Sequence, residues 1–247
     1  MNVIIYGVNG RMGKVLRTMT EEGVRGAKLH GGVDLGGNDS GFPYFETLDQ
    51  VPSGADCIID FSHHTATKAV LTYACKHKIP VVLATTGHTE KEQAIIREAA
   101  KETAIFLSAN MSMGVALLAE LAKKTAAVYP DANIEIVETH HNRKLDAPSG
   151  TALLIANAIR EIRKAATFAL GRSGQGKRTE EEIGIHAIRR GNIVGIHEVL
   201  VSTDYETISL KHEAHTRDLF AAGAMAAAEF LCGKPAGLYN MQDMIKL

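Results

Sequence analysis

The chain has 247 residues, of which 45% are hydrophobic and 22% are charged, and this balance excludes an intrinsically disordered protein. A formal net charge of -1 leaves no global basic field, which excludes a surface built to hold nucleic acid or an anionic membrane. No apolar run approaches the roughly 20 residues of a membrane-spanning helix, and the first residues lack the pattern of a signal peptide, so we expect a cytoplasmic protein of one large or two modest domains.

The first half of the chain alternates short β-branched segments with helical ones. The strand segments lack polar alternation, which is typical of strands buried on both faces. This rhythm predicts an α/β fold with a Rossmann-like, doubly wound parallel sheet and helices on both sides. The predicted strands are residues 3–6, 28–34, 57–61, 80–84 and 105–108, and the predicted helices are residues 11–22, 65–78 and 90–102.

The pattern changes after residue 111 and predicts a second, α+β domain. Short turns join three strands there, which predicts an antiparallel meander. These strands are apolar on both faces, so we expect one face of a mixed or antiparallel sheet to cover helices and the other to form an oligomer contact. The predicted helices are residues 114–129 and 150–164, and the predicted strands are residues 133–138, 183–188, 193–202 and 206–214.

Two further segments complete the predicted organisation. The polar, glycine-rich stretch 171–178 predicts a mobile loop that can close over a ligand. An alanine-rich helix at 217–231 is expected to return to the first domain, although its periodicity suits the second domain equally well. We therefore assign residues 1–111, completed by 217–247, to a dinucleotide-binding domain and residues 112–216 to a second domain.

A glycine-rich turn follows the first predicted strand and opens the first helix, with the sequence Gly7-Val8-Asn9-Gly10-Arg11-Met12-Gly13. Such a turn lets backbone N–H groups approach a pyrophosphate, and the helix N-terminus adds positive potential. Its spacing departs from the strict G-x-G-x-x-G fingerprint, because Asn9 stands at the middle position, although asparagine tolerates left-handed backbone. The predicted cofactor-binding residues in the turn are Gly7, Val8, Asn9, Gly10, Arg11 and Met12.

Asp34 ends the second predicted strand, about 20 residues beyond the turn, where an acidic residue hydrogen-bonds the ribose hydroxyls of NAD. A 2′-phosphate would be repelled there, and the residues Leu35-Gly36-Gly37-Asn38 offer no arginine to neutralise it. We therefore expect NADH to be accepted at least as well as NADPH. The alternative interpretation is an ordinary aspartate in a turn.

Two other strand ends point to the same crevice, because ligands of doubly wound sheets bind beyond the carboxyl ends of the strands. The pair His63-His64 also follows a strand, but we interpret it as an exposed helix start and not as a site. The predicted cofactor residues are Ala84, Thr85 and Thr86 after one strand and Ala109, Asn110, Met111 and Ser112 after the next.

Four potentially cationic side chains precede a predicted helix start: His140, His141, Arg143 and Lys144. Histidine titrates near neutrality and a lysine ammonium is a proton donor, so His140 and Lys144 are predicted to supply protons to a substrate that receives a hydride. The alternative is an exposed charge run. A metal site is a poorer interpretation, because adjacent histidines on an extended chain point to opposite sides and no third ligand has suitable spacing.

The helix start itself predicts an anion site. Ser149 can cap the helix and leave the N–H groups of Gly150 and Thr151 to receive a carboxylate, helped by the helix dipole. The histidine and lysine side chains upstream would hold a second carboxylate. The segment therefore predicts a site for a small dicarboxylate.

The chain resembles the 4-hydroxy-tetrahydrodipicolinate reductase family, and the resemblance is strongest at the segment from His140 to Ala152, which reads HHNRKLDAPSGTA. The likeness runs nearly from end to end. Its other matching segments are Gly10-Arg11-Met12-Gly13, Thr85-Thr86-Gly87, Ala109-Asn110-Met111-Ser112, Gly184-Ile185-His186, Arg217-Asp218 and Gly237-Leu238-Tyr239.

The resemblance implies a dinucleotide-binding domain built from the N-terminal part and the C-terminal helix, a central substrate-binding domain that forms a homotetramer, and hinge closure between the two. It implies that His140 is a proton donor or acceptor and that Lys144 is a proton donor. It also implies that His141, Gly150 and Thr151 hold the substrate carboxylates. The family eliminates water from a 4-hydroxy substrate and reduces the resulting conjugated imine to tetrahydrodipicolinate with NADH or NADPH, which leads to diaminopimelate and lysine.

Two other functions stay open from the residues alone. A dehydrogenase of another small dicarboxylate or amino acid would share the two-domain plan. A non-catalytic NAD-binding sensor would keep the glycine turn, but it has no need of His140 and Lys144 together.

Overall fold

The computed structural model describes residues 1–37 and 41–245. The strands within these residues are β1 (Asn2–Tyr6), β2 (Lys28–Val33), β3 (Tyr44–Phe45), β4 (Cys57–Asp60), β5 (Val81–Leu83), β6 (Ala104–Leu107), β7 (Asn133–His140), β8 (Thr167–Leu170), β9 (Glu182–Arg189), β10 (Gly195–Ser202), β11 (Thr207–Ala214) and β12 (Gly237–Tyr239). The α-helices are α1 (Arg11–Glu21), α2 (Thr67–His77), α3 (Glu90–Ala99), α4 (Met113–Val128), α5 (Gly150–Arg160), α6 (Asp218–Leu231) and α7 (Met241–Met244). Across the described range, none of these helices has the length and apolar character needed to cross a bilayer.

The chain divides into two compact units, and unit 1 comprises Met1–Ser112 and Asp218–Leu247. Its sheet has the strand order β12-β6-β5-β4-β1-β2-β3, and every neighbouring pair is parallel. Parallel neighbours need crossover connections, and α1, α2 and α3 provide them. Helix α6 packs against α1 and against β4, β5 and β6. The predicted Rossmann-like parallel sheet is confirmed.

The strand order of unit 1 reverses between β1 and β4. In open α/β sheets, ligands bind beyond the carboxyl ends of the strands at such a switch point. The strands on both sides of this switch point contribute to one hydrophobic core, in which Ile4, Ile58, Val81 and Ile105 are fully buried. This matches the absence of polar alternation that predicted a sheet covered on both faces.

Unit 2 comprises Met113–Arg217, so the boundaries expected from the sequence lie one residue before the observed ones. Its mixed sheet has the order β11-β10-β7-β9-β8. Helices α4 and α5 pack together, and their apolar faces share one core with the sheet, in which Ile134, Ile136, Ile155 and Val199 are fully buried. The second sheet agrees with the predicted α+β architecture.

The predicted antiparallel meander is wrong for the pair β9 and β10. Strand β7 lies between them, parallel to β9 and antiparallel to β10. The short segment after β9 passes around the end of β7, where Arg190 N donates to His140 O at 2.9 Å and His141 N donates to Ile193 O at 2.8 Å. A buried strand such as β7 must satisfy its backbone groups on both edges, and its position between β9 and β10 gives each edge a partner strand.

Strand β8 was also absent from the predicted elements, and it pairs in parallel with β9 as an edge strand. Four residues with modest burial carry little periodic signal. The predicted helix 150–164 ends at Arg160 instead, because the chain beyond it is held by a tertiary contact. Arg163 donates Nη1 to Ala132 O at 2.8 Å and Nη2 to Tyr129 O at 2.6 Å.

The stretch 171–178, predicted as a mobile loop, connects β8 to β9 without regular structure, and its residues 171–177 are exposed. Arg178 holds the end of this stretch, since its Nε donates to Asn133 Oδ1 at 2.8 Å and its Nη2 donates to Ile134 O at 3.0 Å. These contacts are at the start of β7, whereas His140 is at its other end. Closure of the loop over a ligand stays a prediction.

The two faces of the second sheet differ along β10. Val199 and Val201 are buried in the core, whereas Ile196 and Leu200 are half-buried on the opposite face. That opposite face also carries Glu198, so it is a mixed surface and not a wholly apolar one. The expected oligomer contact on this face stays a prediction.

Candidate active site

Glu138 and His140 lie on the same side of β7, because alternate residues of a strand share a face. Glu138 is fully buried and His140 is 8% exposed. The two side chains are in contact, with 2.5 Å between His140 Nδ1 and Glu138 Oε2. An ionised carboxylate can only accept hydrogen bonds, so Nδ1 is the donor and Nε2 is left on the other side of the ring.

Arg189 and the start of α5 complete the surroundings of Glu138. Arg189 binds both carboxylate oxygens, Nη1 to Oε2 at 2.7 Å and Nη2 to Oε1 at 2.8 Å. Ser149 N donates to Oε1 at 2.9 Å. Burial alone would raise the pKa of this carboxyl, but the hydrogen bonds from His140, Arg189 and Ser149 outweigh it and lower the pKa to about 2. Glu138 is therefore ionised at neutral pH.

His197 is a third buried side chain of this cluster. It is 3% exposed, and its ring centroid lies 5.1 Å from that of His140 at an angle of 74°. Its Nε2 lies 3.1 Å from Ser149 Oγ, which also accepts from Ala152 N and so caps α5. Burial, and then the nearby His140, lower the pKa of His197 to about 3. This ring is therefore neutral at physiological pH.

Lys144 and Asp146 form an ion pair beside the amino end of α5. Lys144 Nζ and Asp146 Oδ1 are 2.8 Å apart. The hydrogen bond from Lys144 holds the pKa of Asp146 below its ordinary value, and the backbone N–H of Gly150 acts in the same direction. Gly150 and Thr151 are the first two residues of α5. A carboxylate of the chain itself therefore contacts Lys144, which is predicted to donate a proton.

His141 points away from Glu138 and toward Arg217, with 3.4 Å between His141 Nε2 and Arg217 Nη2. Burial, followed by the positive charges of Arg143 and Arg217, lowers the pKa of His141. Arg143 itself donates to Asn192 Oδ1 at 2.5 Å. A neutral imidazole among cations is suited to donate a hydrogen bond to an anion.

The predicted site residues omit Glu138, Arg189 and His197. Glu138 has a local signal, because it stands two residues before His140 on a predicted strand. Arg189 and His197 have none, since only strand register brings them to the site: His140 pairs with Arg189 across β7 and β9, and Glu138 pairs with His197 across β7 and β10.

The glycine-rich turn of unit 1 brings the start of α1 close to the end of β1. Gly7 has φ +84°, and a Cβ there would lie 3.1 Å from the Ser62 backbone. A Cβ on Gly13 would lie 2.1 Å from Gly7 O, so α1 can start this close to β1 only with glycine at that position. Gly10 is the N-cap residue, and within the described residues of α1 no side chain caps the helix and no acidic residue stands in its first turn. Val8 is buried at the base of the turn, and Arg11 and Met12 begin the helix.

Asp34 follows β2 and braces this turn. Its Oδ2 accepts from Asn9 N at 2.9 Å, and its Oδ1 accepts from Leu35 N at 2.8 Å. The Asn9 side chain turns away to donate to the carbonyls of Gly36 and Gly37 at 2.9 and 3.1 Å. Each carboxylate oxygen keeps a lone pair for a further donor. Leu35 is 90% exposed, and Asn38 lies outside the described residues.

The other predicted cofactor residues follow β5 and β6 at the same edge of the sheet, since all these strands are parallel. Thr85 Oγ1 lies 3.0 Å from His88 Nε2, and Ser112 N donates to Asn110 Oδ1 at 2.9 Å. His63 caps a short 3-10 turn at the start of α2. The residues at this edge are Ala84, Thr85 and Thr86 after β5, and Ala109, Asn110, Met111 and Ser112 after β6.

Asp60, at the carboxyl end of β4, was not predicted as a site residue. It is fully buried and accepts from Ser62 N at 2.8 Å and Ser62 Oγ at 2.6 Å. Burial raises its pKa to about 6, although the Ser62 hydrogen bonds act in the opposite direction. These bonds hold Ser62 against Gly7, so Asp60 supports the turn from the neighbouring strand.

Among the residues that the structure describes, no group of three or more histidine, cysteine, aspartate or glutamate side chains is arranged to hold a metal ion. The chemistry available in unit 2 is that of His140, held by a buried carboxylate, and of Lys144 beside a helix N-terminus. Such groups suit proton transfer to an anionic molecule.

Comparison with known proteins gives consistent results over the whole chain. Residues 1–111 match the model of the family described as dihydrodipicolinate reductase, N-terminus, and residues 114–245 match dihydrodipicolinate reductase, C-terminus. The 4-hydroxy-tetrahydrodipicolinate reductase of Caldanaerobacter subterraneus subsp. tengcongensis is 45% identical over 100% of this chain and 98% of the relative. That of Clostridium tetani is 41% identical over 99% of this chain and 97% of the relative.

A solved structure resembles the fold of the whole chain. It is the dipicolinate-bound dihydrodipicolinate reductase from Paenisporosarcina sp. TG-14, with a TM-score of 0.83, 22% identity and coverage of 99% of both chains. At this identity the likeness concerns the fold.

Proposed function

The chain belongs to the dihydrodipicolinate reductase family, whose members are NAD(P)H-dependent oxidoreductases, and we propose that its own sites carry out the family's reaction as described below. The reaction is the reduction of (2S,4S)-4-hydroxy-2,3,4,5-tetrahydrodipicolinate to 2,3,4,5-tetrahydrodipicolinate with loss of water, in the biosynthesis of diaminopimelate and lysine. The observation that carries the proposal is the grouping, at the end of β7, of a histidine held by a buried carboxylate, a lysine and a helix N-terminus.

The glycine-rich turn fits a dinucleotide. The contact distances at Gly7 and Gly13 leave no room for side chains, and no described side chain caps the start of α1. We assign the backbone N–H groups at this helix start to a pyrophosphate. In our proposal Asp34 accepts hydrogen bonds from the ribose hydroxyls, and the small residues after β5 and β6 line the rest of the cofactor-binding site. When bound, the nicotinamide supplies the hydride.

The substrate is a doubly negative ring, and unit 2 offers donors for both of its carboxylates. We assign one carboxylate to the N–H groups of Gly150 and Thr151 at the start of α5, where the helix dipole favours an anion. His141 takes part in holding the substrate. Because Asp146 is paired with Lys144, the substrate carboxylate displaces it on binding in this proposal.

Two side chains of unit 2 handle protons in this proposal. His140 exchanges a proton through Nε2, since Nδ1 is bonded to Glu138. Lys144, released from Asp146 by the substrate, donates a proton from Nζ. General acid catalysis by positioned groups of this kind contributes about 10²- to 10⁴-fold to a rate.

The test of this function is consumption of NADH or NADPH with the condensation product of aspartate semialdehyde and pyruvate. We expect turnover by the unmodified chain, and a loss of about 10²-fold or more in both His140→Ala and Lys144→Ala with nucleotide binding retained. Lys164→Ala and His77→Gln alter exposed residues of the same types and serve as controls.

Absence of turnover with both nucleotides in a folded preparation would overturn the proposed reaction. Turnover with another small dicarboxylate or amino acid instead would favour the alternative dehydrogenase. Nucleotide binding without any turnover would favour a sensor.

We also propose a homotetramer that forms through the open face of the second sheet. The half-buried Ile196 and Leu200 and the 43% exposed Ile188 support an apolar contact there. Sedimentation at working concentration tests the proposal, and a monomer would contradict it. The unpaired state of Cys57, Cys75 and Cys232 suits a reducing compartment, and we place the protein in the cytoplasm.

A further inference from the structure

We propose that Glu138 and Arg189 form a positioning pair that keeps the proton of neutral His140 on Nδ1 and presents Nε2 to the substrate. Neither residue would touch the substrate. They would act through His140, so this inference rests on the function proposed above and concerns how its proton-exchanging atom is selected.

The first step of the argument is the hydrogen-bond balance around Glu138. Four donor groups surround the carboxylate: Nη1 and Nη2 of Arg189, the N–H of Ser149 and Nδ1 of His140. Arginine and a backbone N–H can only donate. With the carboxyl group ionised, an imidazole at 2.5 Å must also donate, and a neutral ring that donates from Nδ1 has its lone pair on Nε2.

The second step concerns Arg189, which keeps Glu138 as an acceptor. The two parallel bonds to Glu138 form the bidentate geometry in which arginine binds a carboxylate most strongly. The same guanidinium also donates Nη2 to Asp146 O at 2.6 Å and Nη1 to Ile188 O at 2.9 Å, so four bonds hold it in place. Its fixed charge opposes protonation of the buried Glu138 carboxylate, which therefore orients His140 without taking its proton.

The third step is the space at Nε2. Gly195 faces this atom, and a Cβ built on Gly195 would lie only 3.0 Å from it. Glycine at this position places no side chain against Nε2. The neighbouring His197 is neutral, because burial lowers its pKa, so it adds no positive charge beside His140.

The consequence can be tested with the isosteric variant Glu138→Gln. A glutamine offers one acceptor oxygen and one NH₂ group. At the position of Oε1 an NH₂ would face Arg189 and Ser149 N–H, neither of which can accept. At the position of Oε2 it would face Arg189 and His140, and His140 can become an acceptor by moving its proton to Nε2. The variant therefore favours the opposite histidine tautomer.

The experiment uses the full-length protein labelled with ¹⁵N in its histidine rings. The nitrogen shifts of His140, assigned by comparison with His140→Gln, report which ring nitrogen carries the proton. We expect the proton on Nδ1 in the unmodified protein and on Nε2 in Glu138→Gln. We expect kcat to fall by about 10²-fold or more in that variant, while KM and nucleotide affinity change by less than about threefold.

Two further variants separate positioning from stability. Arg189→Lys keeps the positive charge but loses the bidentate hydrogen bonds to Glu138. We therefore expect the same tautomer as in the unmodified protein and a smaller loss of kcat than in Glu138→Gln. Glu161→Gln removes the carboxylate of an exposed ion pair with Lys123 in the same unit and should leave both the tautomer and kcat unchanged.

The outcomes are decisive in either direction. A neutral His140 that carries its proton on Nε2 in the unmodified protein would overturn the inference, and this measurement does not depend on the folding of Glu138→Gln. A Glu138→Gln protein with the original tautomer and full kcat would overturn it as well. The tautomer is measured without substrate, so failure of the proposed reaction would be recognised separately from failure of this inference.

Discussion

At the scale of single residues, Lys144 is paired before any substrate arrives. Its Nζ lies 2.8 Å from Asp146 Oδ1, and about half of the Asp146 side chain is exposed. An ion pair as exposed as this one contributes roughly 0.2–1 kcal/mol. Under the proposed function, Asp146 is thus a weak internal competitor that a dicarboxylate would displace at a small cost.

Asp146→Asn should therefore strengthen binding of a dicarboxylate. Removing the charge frees Lys144 and ends repulsion of the incoming anion, so we expect the Kd of pyridine-2,6-dicarboxylate to fall by about two- to fivefold, as roughly 0.4–1 kcal/mol implies. Isothermal titration measures the change. Asp204→Asn, an exposed carboxylate in the turn after β10, is the control. Weaker binding would mean that Asp146 holds Lys144 in its productive position.

Leu35 is the residue that we expect to set nucleotide preference together with Asp34. Its side chain is 90% exposed, so its replacement removes little packing. Leu35→Arg places a guanidinium next to the position expected for the 2′ substituent of the ribose. We expect the ratio of kcat/KM for NADPH to that for NADH to rise about tenfold, which corresponds to roughly 1.4 kcal/mol of phosphate binding.

Steady-state kinetics with both nucleotides measures this ratio, and we expect the unmodified protein to use NADH at least as well as NADPH. Val128→Arg, which replaces another exposed apolar residue at 72% exposure, controls for the added charge. An unchanged ratio in Leu35→Arg would place the 2′ group elsewhere.

At the scale of elements, the approach of α1 to β1 depends on one glycine. The Cβ of an alanine at position 13 would lie 2.1 Å from Gly7 O and 2.6 Å from Val8 Cα. Both contacts are with backbone, so no side-chain rotation relieves them. Helix α1 would have to move away from the turn whose N–H groups are proposed to bind the pyrophosphate.

Gly13→Ala should consequently lower both stability and nucleotide affinity. Overpacking of this kind costs about 1–3 kcal/mol, more than the roughly 1 kcal/mol that alanine gains over glycine in a helix. We expect NADH affinity to fall by about tenfold or more, measured by fluorescence titration alongside urea unfolding. Gly176→Ala, where a Cβ meets nothing within 4 Å, should change neither quantity. Unaltered NADH affinity in Gly13→Ala would mean that the close approach of α1 to β1 does not contribute to nucleotide binding.

At the scale of the whole molecule, two buried groups have opposite effects on acid stability. The folded pKa of His197 is lowered from 6.5 to about 3, so as the pH falls the unfolded chain binds this proton before the folded chain does. The stability that the folded state has above pH 6.5 is therefore lost as the pH falls. The folded pKa of Asp60 is raised from 3.8 to about 6, so its contribution is present below pH 3.8 and is lost as the pH rises through about 6. The two effects partly cancel between pH 6 and pH 4.

His197→Gln should therefore make the protein less sensitive to acid. One proton bound only by the unfolded chain lowers the free energy of unfolding by at most about 1.4 kcal/mol for each pH unit of acidification. The variant lacks this proton, so its free energy of unfolding should fall less steeply below pH 6.5. Urea unfolding at a series of pH values between 7 and 4.5 gives the slope. The exposed His77→Gln is the control. Equal slopes in His197→Gln and the unmodified protein would mean that His197 is protonated in the folded state.

Much of the architecture follows from local patterns. Buried parallel strands show as apolar runs, and glycines at positions 7, 10 and 13 mark the turn before α1, because these features depend on neighbouring residues only. Strand β8 is not predicted from the sequence, because four residues at a sheet edge are too few to show a pattern of hydrophobic alternation. The end of α5 was misplaced because Arg163 binds carbonyls that lie more than thirty residues away in sequence.

The sequence by itself determined the parallel sheet of unit 1, the family resemblance, and the candidate residues His140, Lys144, Gly150 and Thr151, since each depends on residue types at short spacing. Only the tertiary structure decided that β7 separates β9 from β10, and hence that Arg189 and His197 lie beside Glu138 and His140. Strand register joins residues about fifty to sixty positions apart. It is selected by burial of the sheet against α4 and α5, which no local spacing records.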